Sequence, residues 1–283
     1  MYKRQLRIDA GGEAAPFAQT QGRPLGIEFG PGGLLYVADA YRGLLSVDPA
    51  GRVTLLADRA EDGSPILYAD DVDIGPDGAV YFSDASTRFG AEENGGTLSA
   101  SVLDLVEHSQ NGRVLKFDPA TGKTTVFADG LTFANGVAVD AAGEALFVVE
   151  TGAYRVWRFP LGGGAGQVVL DNLPGFPDNI NPAPQGSFWI GLVSPRNAIM
   201  DALSGRPFWR RVVMRLPEAM KPAPQRYGFI LRIDESGAVL ETLQDPSGAY
   251  ALTTGAVTLP DGRVAVTSLT EPRLGVLSSA GGQ

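Results

Sequence analysis

"PLGIEFGPGGLLYVADAYRGLLSVDPAGRVTLLAD", residues 24–58, holds four short apolar stretches separated by turn-forming sequences. GPGG and DPAG sit between segments of alternating or continuous apolar character, so neighbouring stretches read as antiparallel hairpins. The same order of features returns in "NGVAVDAAGEALFVVETGAYRVWRFPLGGGAGQVVLDN", residues 135–172. A recurring four-strand unit cannot bury its faces alone, and stacking such units side by side is the arrangement of propeller blades.

Two further copies are interrupted after their second strand. "DDVDIGPDGAVYFSDAS" (70–86) resumes as "GRVLKFDPATGKTTVFAD" (112–129), and "DNINPAPQGSFWIGLV" (178–193) resumes as "GFILRIDESGAVLETLQD" (228–245). The last copy, 255–279, stops after three strands, while residues 4–18 read as the third and fourth strands of a copy. Two opening strands, four blades of four and three closing strands make about 21, against about 24 for six blades. The expected fold is therefore all-β: a six-bladed β-propeller over residues 1–283, with the first blade incomplete and helical insertions at 87–111 and 194–227. A parallel β-helix is the alternative, but its repeats are shorter and lack hairpins. The strand deficit, together with an opening "MYKRQ" that resembles a translated adapter, leads to the expectation of an N-terminal truncation.

Composition narrows the function. The chain has 283 residues, 44% of them hydrophobic and 19% charged, with a net charge of -9, which suits a globular domain with a substantial core. An acidic protein lacks the basic surface that nucleic acid requires. The absence of cysteine removes disulfides, cysteine-based zinc sites and a thiol nucleophile. With His108 the single histidine and no G-x-S-x-G elbow, a serine triad is disfavoured. No apolar run is long enough to read as a membrane span.

Several stretches carry a resemblance that covers essentially the whole chain. "GRPLGIEF" (22–29), "GRVLKFDPATGKTTVFADGLTFANGVAV" (112–139), "VVETGAYRVWRF" (148–159) and "LPGFPDNI" (173–180) resemble the strictosidine synthase-like proteins. These are relatives of the paraoxonases, gluconolactonases and diisopropyl fluorophosphatase. The resemblance implies a six-bladed propeller of the calcium-dependent phosphotriesterase-like kind.

In such a ring the innermost strand of each blade starts beside the central channel, so the residues there converge at one mouth. The positions are Arg23 or Pro24, Asp70 with Asp71, Asn135, Asp178 with Asn179, and Thr253 or Thr254. Each Asp or Asn taken singly is also a common turn residue. Taken together, carboxylate and amide oxygens without histidine or cysteine suit a hard cation, Ca²⁺ ahead of Mg²⁺. The resemblance implies that Asp70, Asn135, Asp178 and Asn179 ligate a catalytic metal. It also implies that Asp71 matches a residue serving a second, structural calcium in some relatives. The glutamate ligand that those relatives draw from their first blade has no counterpart, and the acid that strictosidine synthase uses for its condensation aligns with Gly255.

The function expected from these residues is metal-dependent hydrolysis of small-molecule esters or lactones, lactonase- or arylesterase-like. Asp178 would act as nucleophile or base, with Asp70 in reserve. The alternative is a non-catalytic propeller that binds a ligand or partner through an incomplete metal site. Asp39, Asp84 and Glu150 end second strands and are assigned structural roles. His108 closes "TLSASVLDLVEHS", a helical pattern, where a histidine complements the dipole; a proton shuttle at the channel mouth is its functional reading. "GGGAG" (162–166) lacks the strand-to-helix setting of a phosphate cradle. In the insertion at 194–227, Pro207 suits a helix start and Pro217 a stop, with Phe208, Val212 and Leu216 on one face and Arg210, Arg211 and Arg215 largely on others. That short basic helix is expected to form a lid over the substrate, with contact to a membrane surface as the weaker reading.

Overall fold

The computed structural model describes residues 4–8, 11–216 and 223–277. The chain divides into two compact units, residues 1–105 with 109–135 and residues 106–108 with 136–283. Each is built from antiparallel sheets whose strands follow one another in chain order.

In the first unit, β1 (Arg4–Ile8) and β2 (Ala14–Gln19) form a two-stranded sheet. Next come β3 (Pro24–Phe29), β4 (Leu35–Asp39), β5 (Gly43–Val47) and β6 (Val53–Ala57), a four-stranded sheet in that order. The second four-stranded sheet contains β7 (Ala69–Ile74) and β8 (Val80–Asp84), then the helix α1 (Thr97–Glu107), then β9 (Gly112–Asp118) and β10 (Lys123–Leu131).

The strand β11 (Ala134–Val139) crosses the boundary at Asn135 and heads the sheet continued by β12 (Ala145–Glu150), β13 (Arg155–Pro160) and β14 (Gln167–Leu170). The second unit continues with β15 (Gly175–Ala183) and β16 (Ser187–Pro195). Two helices, α2 (Ala198–Ala202) and α3 (Pro207–Met214), precede β17 (Gly228–Asp234) and β18 (Val239–Asp245), which complete that sheet. The last sheet has β19 (Thr253–Thr258), β20 (Val264–Ser268) and β21 (Gly275–Leu277). The described residues thus form 21 strands in sheets of two, four, four, four, four and three. The end of the last repeat, Ser278 and Ser279, and Asp9 and Ala10 in the opening one lie outside the described residues.

Burial explains the strand patterns. The middle strands β4, β5, β8 and β12 are buried at every position, so they read as continuous apolar runs such as ALFVVE. The fourth strand β18 faces solvent on one side and alternates over most of its length. Between β12 and β16, Phe147 and Phe188 meet with ring centroids 4.5 Å apart, in a core with Val149, Ile180, Ile190 and Leu231. In the first unit Leu44, Val72, Phe82 and Leu115 pack in the same way. Each such side chain contributes roughly 1.5–3 kcal/mol on burial.

The acids that end β4, β8 and β12 are buried and hydrogen-bonded. Asp39 accepts from the backbone of Arg23 (2.7 Å) and Tyr41 (3.1 Å). Asp84 accepts from Leu67 (3.2 Å) and Tyr68 (2.9 Å) and pairs with Arg113 at 2.9 Å. Glu150 accepts from Arg155 and from the indole of Trp157, both at 2.6 Å.

The helices add detail to two expectations. His108 follows α1 with a left-handed φ of 56°, but burial and then the Arg210 guanidinium hold its imidazole below the ordinary histidine range. That shift favours the neutral imidazole, which complements a helix end less than a cation does. The cation there is Arg210 from α3, whose guanidinium donates to the carbonyls of Val106 (3.1 Å), Leu203 (2.7 Å) and Met200 (3.4 Å). α3 starts at Pro207 as expected, with Val212 and Leu216 half-buried and Arg215 exposed, yet Arg210 is buried while Phe208 is 62% exposed. A guanidinium buried among three carbonyl acceptors outweighs burial of one ring. Pro217, the expected stop, lies outside the described residues. Among the described residues no helix is long and apolar enough to cross a membrane.

Candidate functional site

The residues singled out in the sequence fall at a recurring irregularity of the first strands. In β7 the pairing runs Ala69 with Asp84 and then Val72 with Phe82, so Asp70 and Asp71 take up one extra residue. In β15 the slip lies between Pro177 and Ile180, at Asp178 and Asn179. In β19 it falls at Thr254, and in β3 at Leu25 and Gly26. A β-bulge aims two consecutive side chains away from simple alternation, and bulges concentrate beside functional sites. Doublets such as Asp70–Asp71 and Asp178–Asn179 are therefore what a strand needs to present two donors together.

Glycines set how closely these strands approach their neighbours. In the first unit β3 lies against β7, and a Cβ on Gly26 would come within 2.5 Å of the Asp71 Cα and 2.9 Å of the Asp70 carbonyl. Asp70 is buried, and the Asp71 amide donates to the Ser83 hydroxyl at 3.0 Å. Further along β3, burial pushes the Glu28 carboxyl up to about 7, with the Asp73 carboxylate adding to the rise. Asn135 is buried at the start of β11.

In the second unit a Cβ on Gly136 would meet the Ile180 nitrogen at 2.5 Å and the Asp178 carbonyl and Asn179 Cα at 2.7 Å. Only glycine admits β15 at this distance. The Thr151 hydroxyl donates to the Pro177 carbonyl at 2.7 Å, tying the entry of β15. On the other side, a Cβ on Gly255 would lie 2.9 Å from the Asn181 Nδ2 and 3.2 Å from the Asn179 Cβ. An acid at 255 would have to displace the Asn181 amide. Thr254 and Thr267 share a hydroxyl hydrogen bond of 2.7 Å beside it. Asn181 is the polar residue the sequence reading passed over; its spacing of two from Asn179 was the available signal.

The donors are carboxylate and amide oxygens, and this set fits a hard cation. Among the described residues no three His, Cys, Asp or Glu side chains gather closely enough to hold a metal ion. A cation here would accordingly draw on amide, backbone or water oxygens as well as carboxylates. The candidate ligands divide as Asp70 and Asn135 in the first unit and Asp178 and Asn179 in the second.

Successive four-stranded antiparallel sheets whose strands follow chain order are the blades of a β-propeller. Residues 70–162 match the family model for strictosidine synthase. The strictosidine synthase-like 10 protein of Arabidopsis thaliana is 36% identical over 282 residues, covering 93% of this chain and 72% of that protein. The chain belongs to the strictosidine synthase-like family. The human adipocyte plasma membrane-associated protein is 35% identical over 271 residues, which are 91% of this chain and 63% of the human one. The chain thus spans somewhat under two thirds of the length of that relative.

Among solved structures, a gluconolactonase of Xanthomonas campestris superposes with a TM-score of 0.67 at 17% identity, covering 94% of this chain and 76% of that one. The calcium-binding protein regucalcin of Agrobacterium tumefaciens superposes with a TM-score of 0.63 at 17% identity, covering 96% and 77%. These likenesses establish the fold.

Proposed function

We propose that the chain is a calcium-dependent hydrolase of small-molecule esters or lactones on a six-bladed propeller, with Asp70, Asn135, Asp178 and Asn179 as the metal ligands. The observation that carries this reading is the bulge repeated on the first strands, which falls on Asp70–Asp71 and Asp178–Asn179. The calcium-binding and gluconolactonase names of the structural neighbours support the same direction. Bound Ca²⁺ would polarise the carbonyl and stabilise the negative charge that develops on its oxygen.

The protein's own groups do the rest. The Asp178 carboxylate takes the proton of the attacking water as its oxygen bonds to the carbonyl carbon, then returns it to the departing alkoxide. Direct attack by Asp178 is the variant of the same role, and Asp70 is the second carboxylate. The amides of Asn135 and Asn179 orient the carbonyl and the water. The insertions at 87–111 and 194–227 would flank the substrate. Gly255 leaves no acid for an amine–aldehyde condensation.

A second reading, a propeller that binds a ligand without turnover, is favoured by one observation. The bulge of β3 carries Leu25 and Gly26 and no side-chain oxygen. Calorimetric titration with Ca²⁺, followed by a screen of aryl acetates and aliphatic lactones with and without EGTA, separates the two. Hydrolysis should require Ca²⁺ and fall at least 100-fold in Asp178→Ala. Calcium binding without turnover would establish the second reading, and absence of calcium binding would sink the metal site altogether.

A further inference from the structure

We infer that the outward face of α2 and α3 is a docking surface for an anionic lipid bilayer. The orientation of α3 is set by Arg210, whose guanidinium is held inward by the carbonyls of Met200, Leu203 and Val106. With that residue pinned, Phe208 and Trp209 must face out. They are 62% and 55% exposed, and they brace one another edge to face with centroids 5.4 Å apart. Ile199 on α2 is 59% exposed.

Two adjacent exposed aromatic rings are uncommon on a surface that meets only water. A tryptophan beside a phenylalanine is instead the pair that settles at a headgroup boundary. Arg206 and Arg215 flank the rings; both are exposed and make no ion pair with any described residue. The chain as a whole is acidic, at -9, so two arginines that bracket the apolar pair in sequence and form no ion pair with a described residue are a local exception. Charges beyond about 8 Å are screened at physiological ionic strength, so the patch and not the total charge meets the surface. The positive rim selects anionic headgroups over zwitterionic ones.

Trp209 also supplies the probe. Of the three tryptophans, Trp189 is 3% exposed and Trp157 is held by Glu150 and stacked on Phe159. Purified full chain is mixed with vesicles of phosphatidylcholine alone or with 30% phosphatidylserine, and emission and cosedimentation are followed. The expected result is a blue shift and cosedimentation on serine-containing vesicles only, weakened by salt. Phe208→Glu with Trp209→Glu should weaken cosedimentation at least tenfold with an unchanged circular dichroism spectrum. Arg206→Gln with Arg215→Gln should keep the fold and lose the preference for phosphatidylserine. No binding to serine-containing vesicles overturns the inference, as does binding that survives the double glutamate change. Concentration-dependent self-association that disappears in the same variant also overturns it, because a second copy would then own the face.

Discussion

Removing the Arg113 guanidinium tests how the entry to β7, and with it Asp70, is held. Its Nε and Nη2 each lie 2.9 Å from the Asp84 Oδ2, Nη1 donates to the Ser64 hydroxyl at 2.6 Å, and Nη2 to the Pro65 carbonyl at 2.8 Å. Asp84 in turn receives the amides of Leu67 and Tyr68, the residues that lead into β7. Arg113→Met keeps most of the aliphatic stem and removes the charge. The Asp84 side chain is fully buried, so the loss leaves an uncompensated carboxylate together with two oxygen acceptors, a change that costs about 3–5 kcal/mol. For a chain of this length that corresponds to a fall of roughly 5–8 °C in the unfolding midpoint.

The pH dependence carries the sharper signature. Burial already pushes the Asp84 carboxyl up, against the pull of Arg113, and without the arginine it rises further. A carboxyl raised in the folded state contributes stability that is complete below its unfolded pKa and is lost as pH climbs through the folded one. The penalty of Arg113→Met should thus be larger at pH 8 than at pH 5, and Asp84→Asn added to it should recover at least ~1 kcal/mol by removing the stranded charge. Urea unfolding of the wild type, Arg113→Met and the double variant at both pH values reads this out. A penalty under ~1 kcal/mol, or one equal at the two pH values, refutes the reasoning.

Glu28 offers a second titration, since its carboxyl is raised from 4.5 to about 7. The full shift is a ceiling of about 3.4 kcal/mol, and solvent screening of a half-exposed group reduces it to about 1–2 kcal/mol. Stability tied to Glu28 is complete below about pH 4.5 and lost as pH rises through about 7. Glu28→Gln should match the wild type at pH 4 and exceed it at pH 8, and an equal increment at both would contradict the assignment. Gly136→Ala places a methyl against the backbone of Asp178 to Ile180 and should cost about 1–3 kcal/mol. It should also weaken Ca²⁺ binding through displacement of Asp178 and Asn179; an unfolding midpoint equal to the wild type's would show that the strands can separate freely.

Much of the fold was legible because hairpin turns and strand patterns are local. The expectation of about 21 strands matches the 21 found, including their grouping into two, four and three. The runs at β4 and β12 are continuous because both faces are covered, and that is written in composition. Asp39, Asp84 and Glu150 were assigned structural roles from position alone, and their hydrogen bonds agree. The helical span ending near His108 was equally readable from its apolar spacing.

What the chain by itself determined, then, was the repeat, its turns and the placing of Asp and Asn doublets at strand starts. What only the tertiary structure decided was register and facing. The bulges at Asp70–Asp71 and Asp178–Asn179 are visible only when each strand is paired with its partner, because an extra residue has no local signature until the opposite strand counts against it. The inward turn of Arg210 put Phe208 outside, because a guanidinium goes where carbonyl acceptors converge, here one from α1 and two from α2 and its end. Periodicity reports which residues share a face; which face lies inward depends on partners brought from elsewhere in the chain.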